Sequence, residues 1–398
     1  MRPRPHVPLC DLTRQTAALQ PQLMAAVGGV LSAGRFILGP EVDAFEQEMA
    51  VYLGARHAIG VASGTDALWL ALKALGIGPG DRVLTTAFTF FGTVSAIIHA
   101  GAEPVFADVD PQTFNLDPDA VEGVLTGRSR AHQRLNLRPG TIKALIAVHL
   151  FGQAADMGAL LALAREHGLF VVEDAAQAVG AEFRGQKVGT IGDLGCFSLY
   201  PTKNLGALGD AGLVVTNDDD LARRLRLLRA QGAAGKYVHE TIGTNSRLDA
   251  LQAALLRVKL PHLNAWIAAR QELADYYDRT LRGTAELATP SRAPDRTHTF
   301  HQYVVRVSAG RRDALRHFLE DRGVETAVHY PLPVHQQPAL SGLGYTRGDV
   351  PVAEQASGEV LSLPIFPGLT PDEQSWVVAS IRTFPSEIAD ARSAASRT

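Results

Sequence analysis

At 398 residues, the chain exceeds the roughly 250–300 residues that one hydrophobic core usually organises, so two domains are expected. It is 46% apolar and 20% charged with a net charge of −3, which gives no electrostatic footprint for nucleic acid or an anionic membrane. Two widely spaced cysteines, Cys10 and Cys196, match no disulfide or metal pattern, and the chain reads as cytoplasmic.

Residues 1–10 hold two arginines, three prolines and no apolar run, so no secretory signal is read there. Val61-Ala62-Ser63-Gly64-Thr65 is a small-residue turn ahead of a helical pattern over Gly64–Leu75. Val83–Thr89 reads as a strand and Thr93–Ala100 as a helix. The stretch Val83–Ala102 runs twenty residues without a formal charge, but its four threonines, two glycines and histidine favour a buried strand and helix over a membrane span. Strand-like runs follow at Pro104–Val109, Ile142–Leu150, Leu169–Glu173, Gly195–Tyr200 and Gly212–Thr216, with helical patterns at Met157–His167 and Asp219–Gln231. The polar run Gly127–Gly140 reads as a surface loop. From Arg247 the pattern is helical to about Leu281, broken or kinked at Pro261. A strand at Gln302–Val307, a helix at Arg311–Arg322 and an extended segment at Val324–Pro333 complete the chain. Strands alternating with helices imply a mainly parallel sheet covered on both faces, with its ligand outside the carboxyl ends of the strands. The expected division is a large α/β domain over 1–250, a smaller domain over 251–385 and a flexible tail over 386–398.

The chemistry centres on Phe197-Ser198-Leu199-Tyr200-Pro201-Thr202-Lys203-Asn204-Leu205-Gly206. The chain has only six lysines against 32 arginines, and here one follows an apolar strand in a turn. Upstream, Val171-Val172-Glu173-Asp174 ends another apolar strand in a carboxylate. A Schiff-base lysine and an aspartate for a pyridinium nitrogen are what pyridoxal phosphate (PLP) requires of its protein. Lys203 and Asp174 are the candidates. A surface lysine and a helix-capping aspartate are the plain alternatives. Gly64 and Thr65 open a helix, where free N–H groups and the dipole favour a phosphate, although a simple cap would look the same. Ser198 shares the strand that delivers Lys203. Gln177 would lie near the ring oxygen. Phe88 could stack on the ring, with Phe90 and Phe91 as competitors. Asn245 could donate to a phosphate. His329 and Tyr330 lie in a stiff segment that reads equally as a substrate wall or as a solvent-exposed loop, and no carboxylate or cysteine accompanies its two histidines, His329 and His335, at metal spacing.

These motifs, in this order, resemble the DegT/DnrJ/StrS family of PLP-dependent nucleotide-sugar aminotransferases. The resemblance begins at Val7-Pro8-Leu9-Cys10-Asp11-Leu12 and Gly34-Arg35-Phe36-Ile37-Leu38-Gly39-Pro40 and runs through Ser63-Gly64-Thr65-Asp66-Ala67-Leu68, Val148-His149-Leu150-Phe151-Gly152-Gln153 and Glu173-Asp174-Ala175-Ala176-Gln177. It ends with Tyr200-Pro201-Thr202-Lys203-Asn204-Leu205, Asn245-Ser246-Arg247-Leu248-Asp249 and His329-Tyr330-Pro331. It implies an α/β fold of the aspartate-aminotransferase-like kind (PLP fold type I) and a homodimer with shared active sites. It assigns Lys203 to the cofactor linkage, Asp174 to the pyridine nitrogen and Gln177 to the ring hydroxyl side. Gly64, Thr65 and Ser198 take the phosphate, Asn245 reaches the other subunit's cofactor, and Phe88 matches the stacking aromatic. His329 and Tyr330 fall near the sugar. The implied reaction passes an amino group from L-glutamate through pyridoxamine phosphate to a keto group, at C3 or C4, of a nucleotide-linked sugar. Gly127–Gly140 is longer than the family's typical link.

Three rivals are weighed against this. A sugar dehydratase of the same fold commonly has histidine in place of the lysine, and Lys203 stands against it. A regulatory or binding protein without turnover does not need so complete a site. An enzyme acting on amino acids alone would want an arginine for an α-carboxylate, and Arg306, Arg311 and Arg312 lie in no diagnostic motif.

Overall fold

The computed structural model describes residues 5–135, 141–308 and 310–395, of which 385–395 by backbone alone. The central sheet has seven strands: β1 (His57–Val61), β2 (Arg82–Thr86), β3 (Glu103–Ala107), β4 (Ile142–Val148), β5 (Phe170–Asp174), β6 (Leu194–Ser198) and β7 (Gly212–Thr216). Their order is β1-β7-β6-β5-β4-β2-β3. The run from β3 to β6 is parallel, while β7 is antiparallel to both β6 and β1. The helices are α1 (Leu12–Ala33), α2 (Pro40–Leu53), α3 (Gly64–Ala74), α4 (Phe91–Ala100), α5 (Pro118–Leu125), α6 (Arg130–Leu135), α7 (Met157–His167), α8 (Asp219–Leu228), α9 (Ala250–Lys259), α10 (Leu263–Leu281), α11 (Arg312–Glu320), α12 (Pro351–Glu359) and α13 (Pro371–Ala395).

The strands are apolar on both faces because both are covered. On β4, Ala144 and Ile146 join Val172 of β5 in a core with Leu68, Leu70 and Leu72 of α3, Ile97 of α4 and Leu225 of α8. Leu145, Ala147 and Val171 point the other way, into a core with Phe45 and Met49 of α2, Val121 of α5, Leu160 of α7 and Leu256 of α9. The two-residue period of the strands thus sorts neighbouring side chains into two separate layers.

A second core belongs to a three-stranded antiparallel sheet of β8 (Leu287–Ala288), β9 (Tyr303–Val307) and β10 (Val360–Leu363). Tyr277, Tyr303, Leu315, Leu319, Val377 and Ile381 fill it, with Val7 from the chain's start. Helix α10 serves both cores: Leu263 and Ile267 pack on the large sheet, and Ala274, Tyr277 and Leu281 on the small one. Pro261 sits in a 3-10 turn, Leu260–His262, that separates α9 from α10, as its missing N–H leads one to expect.

Several elements have no counterpart in the sequence reading: the helices α1, α2, α5, α12 and most of α13, and the strands β1, β8 and β10. Only Leu19, Leu23 and Val30 of the 22 residues of α1 are buried, so its apolar stripe is faint. The run Gly127–Gly140 is more than a loop where it is described, since α6 lies within it; residues 136–140 fall outside the described residues. Arg134 of α6 ion-pairs with Asp349 and donates to the Gly344 carbonyl at 2.7 Å, which docks this segment on the loop before α12. Helix α13 runs to Ala395, into the segment expected as a tail, and residues 396–398 are outside the described residues. Among the described residues no helix is long and apolar enough to cross a membrane.

Candidate active site

Parallel strands β2, β4, β5 and β6 end at one edge of the sheet, and their ends supply the site. Asp174 is the last residue of β5 and is buried. Its Oδ2 accepts from Thr93 Oγ1 at 2.8 Å and its Oδ1 from the Ala176 amide at 3.2 Å. Burial raises its pKa; those two hydrogen bonds, then the Lys203 charge, act against the rise. The preceding Glu173 points to the other face and accepts four N–H groups. They are His149 Nε2 at 2.9 Å and the amides of Gly189, Ile191 and Gly192 at 2.8, 2.7 and 2.7 Å. Ala155 donates to His149 Nδ1 at 3.0 Å, so the proton of this neutral imidazole is on Nε2. Glu173 therefore holds the end of β5 rigid while Asp174 faces the cavity.

Lys203 follows β6 in a turn closed by its own amide on the Tyr200 carbonyl at 2.8 Å. The Asn204 side chain ties that turn to the Thr299 carbonyl at 2.9 Å. Lys203 Nζ lies 3.5 Å from His301 Nε2. Desolvation lowers the lysine pKa to about 8, against the pull of Asp174. The same desolvation lowers His329 to about 4, with Lys203 adding to it.

Opposite these groups is the start of α3. Ser63 caps the helix by accepting from the Asp66 amide at 3.1 Å. The first-turn amides of Gly64 and Thr65 have no intrahelical acceptor. Two glycines are required by close approach: a Cβ on Gly64 would lie 2.6 Å from Ser198 Cβ, and one on Gly212 would lie 2.2 Å from the Ser63 carbonyl oxygen. The helix start is thereby pressed against the strand that delivers Lys203.

These groups enclose a cavity of about 580 Å³ lined by Gly64, Thr65, Phe90, Thr93, Asp174, Gln177, Ser198, Lys203, His301, His329 and Tyr330, among others. A second depression of similar volume, beside Gly80–Glu103 and Ala339–Leu343, contains neither a lysine nor a helix start. The donor set of the first fits PLP: an amine of lowered pKa, a buried carboxylate aimed into the cavity, and open amides with a serine hydroxyl where a phosphate needs them.

Residues 18–382 match the DegT/DnrJ/EryC1/StrS aminotransferase family. The chain belongs to this family. It is 45% identical to the dTDP-3-amino-3,4,6-trideoxy-alpha-D-glucose transaminase of Streptomyces venezuelae, over 96% of this chain and 97% of that protein. It is 47% identical to a pleiotropic regulatory protein of Geobacillus stearothermophilus, over 95% and 98% of the two chains. The crystal structure of S. venezuelae DesV in complex with a ketimine intermediate superposes with a TM-score of 0.89 at 44% identity, covering 96% of this chain and 98% of that one. The aminotransferase is thus PLP-dependent, with the family's α/β fold.

The aminotransferase brings most of the sequence-derived candidates together: Gly64, Thr65, Asp174, Gln177, Ser198, Lys203, His329 and Tyr330 all line the one cavity. Gln177 is committed at both ends, since its Oε1 accepts from the Phe151 amide at 2.7 Å and its Nε2 donates to Tyr330 Oη at 2.9 Å. His329 Nδ1 meets Ser362 Oγ at 2.8 Å. Asn245 is exposed and lies outside its own chain's cavity. Phe88 is placed differently from expectation. Its amide bonds to Thr86 Oγ1 just past β2, and its ring turns inward, fully buried against Phe114 and Phe151 with centroids 5.7 and 6.3 Å away. The aromatic at the cavity wall is Phe90, in extended backbone (φ −64°, ψ 142°) just before α4. In the sequence Phe90 is only a competitor of Phe88, and nothing there assigns a role to Thr93, Glu173 or His301. Thr93 and His301 come from distant segments, so no local spacing links them to Asp174 and Lys203.

Proposed function

We infer that the chain transfers the amino group of L-glutamate to the C3 keto carbon of a nucleotide-linked sugar, with Lys203 and Asp174 as its catalytic residues. The observation that carries this is the convergence of the Lys203 amine and the Asp174 carboxylate, from two parallel strand ends, on one cavity that faces a helix start. When bound, PLP supplies an electron sink for the substrate carbon that loses or gains the amino group. The chain's own residues do the rest. The amides of Gly64 and Thr65 and the Ser198 hydroxyl hold the phosphate. Asp174, steadied by Thr93 and by the Glu173 contacts at the end of β5, would hold the ring nitrogen in its protonated form. Lys203 Nζ moves the proton at the substrate carbon. An amine titrating near 8 has a useful neutral fraction at physiological pH, which an exposed lysine lacks. Phe90 covers one ring face. Gln177 would lie on the ring-hydroxyl side, and Tyr330, which accepts from Gln177, would face the sugar together with His329.

The choice of C3 rests on the 45% identical relative, named a dTDP-3-amino-3,4,6-trideoxy-alpha-D-glucose transaminase, a name that places the amino group at C3. We assign the chain to a homodimer in which exposed Asn245 reaches the other subunit's cofactor phosphate, and to the cytoplasm. The division into domains is placed, on this reading, at residue 250, the start of α9, with α10 serving both cores. The test is the visible absorbance of the PLP-loaded protein before and after L-glutamate. Loss of the band with release of 2-oxoglutarate is expected, followed by amination of a dTDP- or UDP-linked 3-keto sugar. A band that glutamate leaves intact would count against the donor, and would favour the regulatory role for which the Geobacillus relative is named. Loss of water from the sugar without amination would favour a dehydratase.

A further inference from the structure

Two buried histidines lie near the site, and they differ in a way that packing does not explain. His149 has both ring nitrogens satisfied, by Glu173 and by the Ala155 amide. His301 has one ring contact, Nε2 at 3.5 Å from Lys203 Nζ, and its Nδ1 is buried with no hydrogen-bond partner among the described residues. The Lys203 amine is thus the one hydrogen-bonding group that the imidazole meets among the described residues.

The backbone around His301 is tightly held. The Thr299 amide donates to the Gly152 carbonyl at 2.8 Å, and Asn204, next to Lys203, donates to the Thr299 carbonyl at 2.9 Å. Buried Arg270 donates to the carbonyls of Phe300 and Ile365 at 3.1 and 2.7 Å, behind the histidine. The imidazole is thus carried to the lysine by the segment entering β9, while the lysine itself is carried by the large sheet.

We propose that His301 is the positioning residue for Lys203: its neutral Nε2 accepts a hydrogen bond from Nζ whenever the lysine amine is free, and so aims that nitrogen into the cavity. The charged surroundings keep the imidazole in the accepting form. Desolvation comes first, and the charges of Lys203 and Arg270 face it and disfavour a second positive charge; His329, itself held neutral by burial, faces it too. Asp174 faces the lysine, and Cys10 faces Arg270. An acceptor at Nζ favours the ammonium form, so His301 also offsets part of the desolvation that lowers the lysine.

This proposal rests on the reading of Lys203 as the amine of the reaction, and its test separates the two. In the full chain stripped of cofactor, the rate of Lys203 acetylation by acetic anhydride is followed against pH by mass spectrometry. In His301→Leu the midpoint is expected about one pH unit below that of the wild type, and in His301→Gln, which keeps an acceptor, it returns towards the wild-type value. In the loaded enzyme, His301→Leu is expected to lower kcat about tenfold with a smaller change in KM for glutamate. A midpoint that is the same in wild type, His301→Leu and His301→Gln overturns the proposal, whatever happens to turnover. Turnover by Lys203→Ala would instead overturn the reading on which it rests.

Discussion

Replacing Lys203 by methionine in the cofactor-free protein should change how stability depends on pH. The amine titrates near 8 in the folded chain and near 10.5 when exposed. Between those values the unfolded chain binds the proton and the folded chain does not, so stability rises with pH across that window. Below 8 both states are protonated, and the folded state bears the full cost of a desolvated ammonium. The site then contributes a gain of about 2–3 kcal/mol between pH 7 and pH 10. Methionine fills similar space and carries no proton. Urea unfolding of both proteins at pH 7, 8, 9 and 10 gives the assay, and the difference between them cancels the other titrating groups, including Lys259, which burial also lowers to about 8. The wild type should be less stable than Lys203→Met at pH 7 and should close most of that gap by pH 10. Parallel pH profiles would refute the reasoning, because they would mean that the folded lysine is as well solvated as the unfolded one.

Phe88→Ala should cost about 3–5 kcal/mol in urea unfolding, as a core deletion does, whereas Phe90→Ala should leave stability within about 1 kcal/mol and weaken PLP retention. The reverse pattern would restore Phe88 to the cavity. Thr93→Val removes a hydroxyl that lowers the Asp174 pKa, so burial prevails and the acid limb of the kcat/KM profile should move to higher pH, with kcat falling about tenfold. An unmoved acid limb would show that Thr93 does not tune Asp174. Arg134→Ala should lower the thermal midpoint and loosen the loop around Gly344 and Asp349, read by hydrogen exchange, because the Asp349 side chain is fully buried and loses its charge partner. Unchanged exchange there would mean that α6 does not hold that loop.

What the sequence determined by itself is what short-range physics records. Six of the seven large-sheet strands were legible because a strand buried on both faces is a continuous apolar run between turn residues, as in β4 and β5. Lys203 and Asp174 were legible because a rare lysine and a carboxylate each closed such a run. Pro261 marked the break between α9 and α10 because it has no N–H to give. Tertiary structure decided what depends on residues far apart in the chain. Whether Phe88 or Phe90 reached the cavity turned on which ring the cluster of Phe114 and Phe151 could absorb, and three aromatics in four positions carry no local sign of that. Thr93 meets Asp174 across 81 positions and His301 meets Lys203 across 98, so their chemistry exists only once β5, β6, α4 and β9 are packed together. The lowered pKa of Lys203 has the same origin, because desolvation is a property of the surrounding walls and not of the lysine's neighbours in sequence.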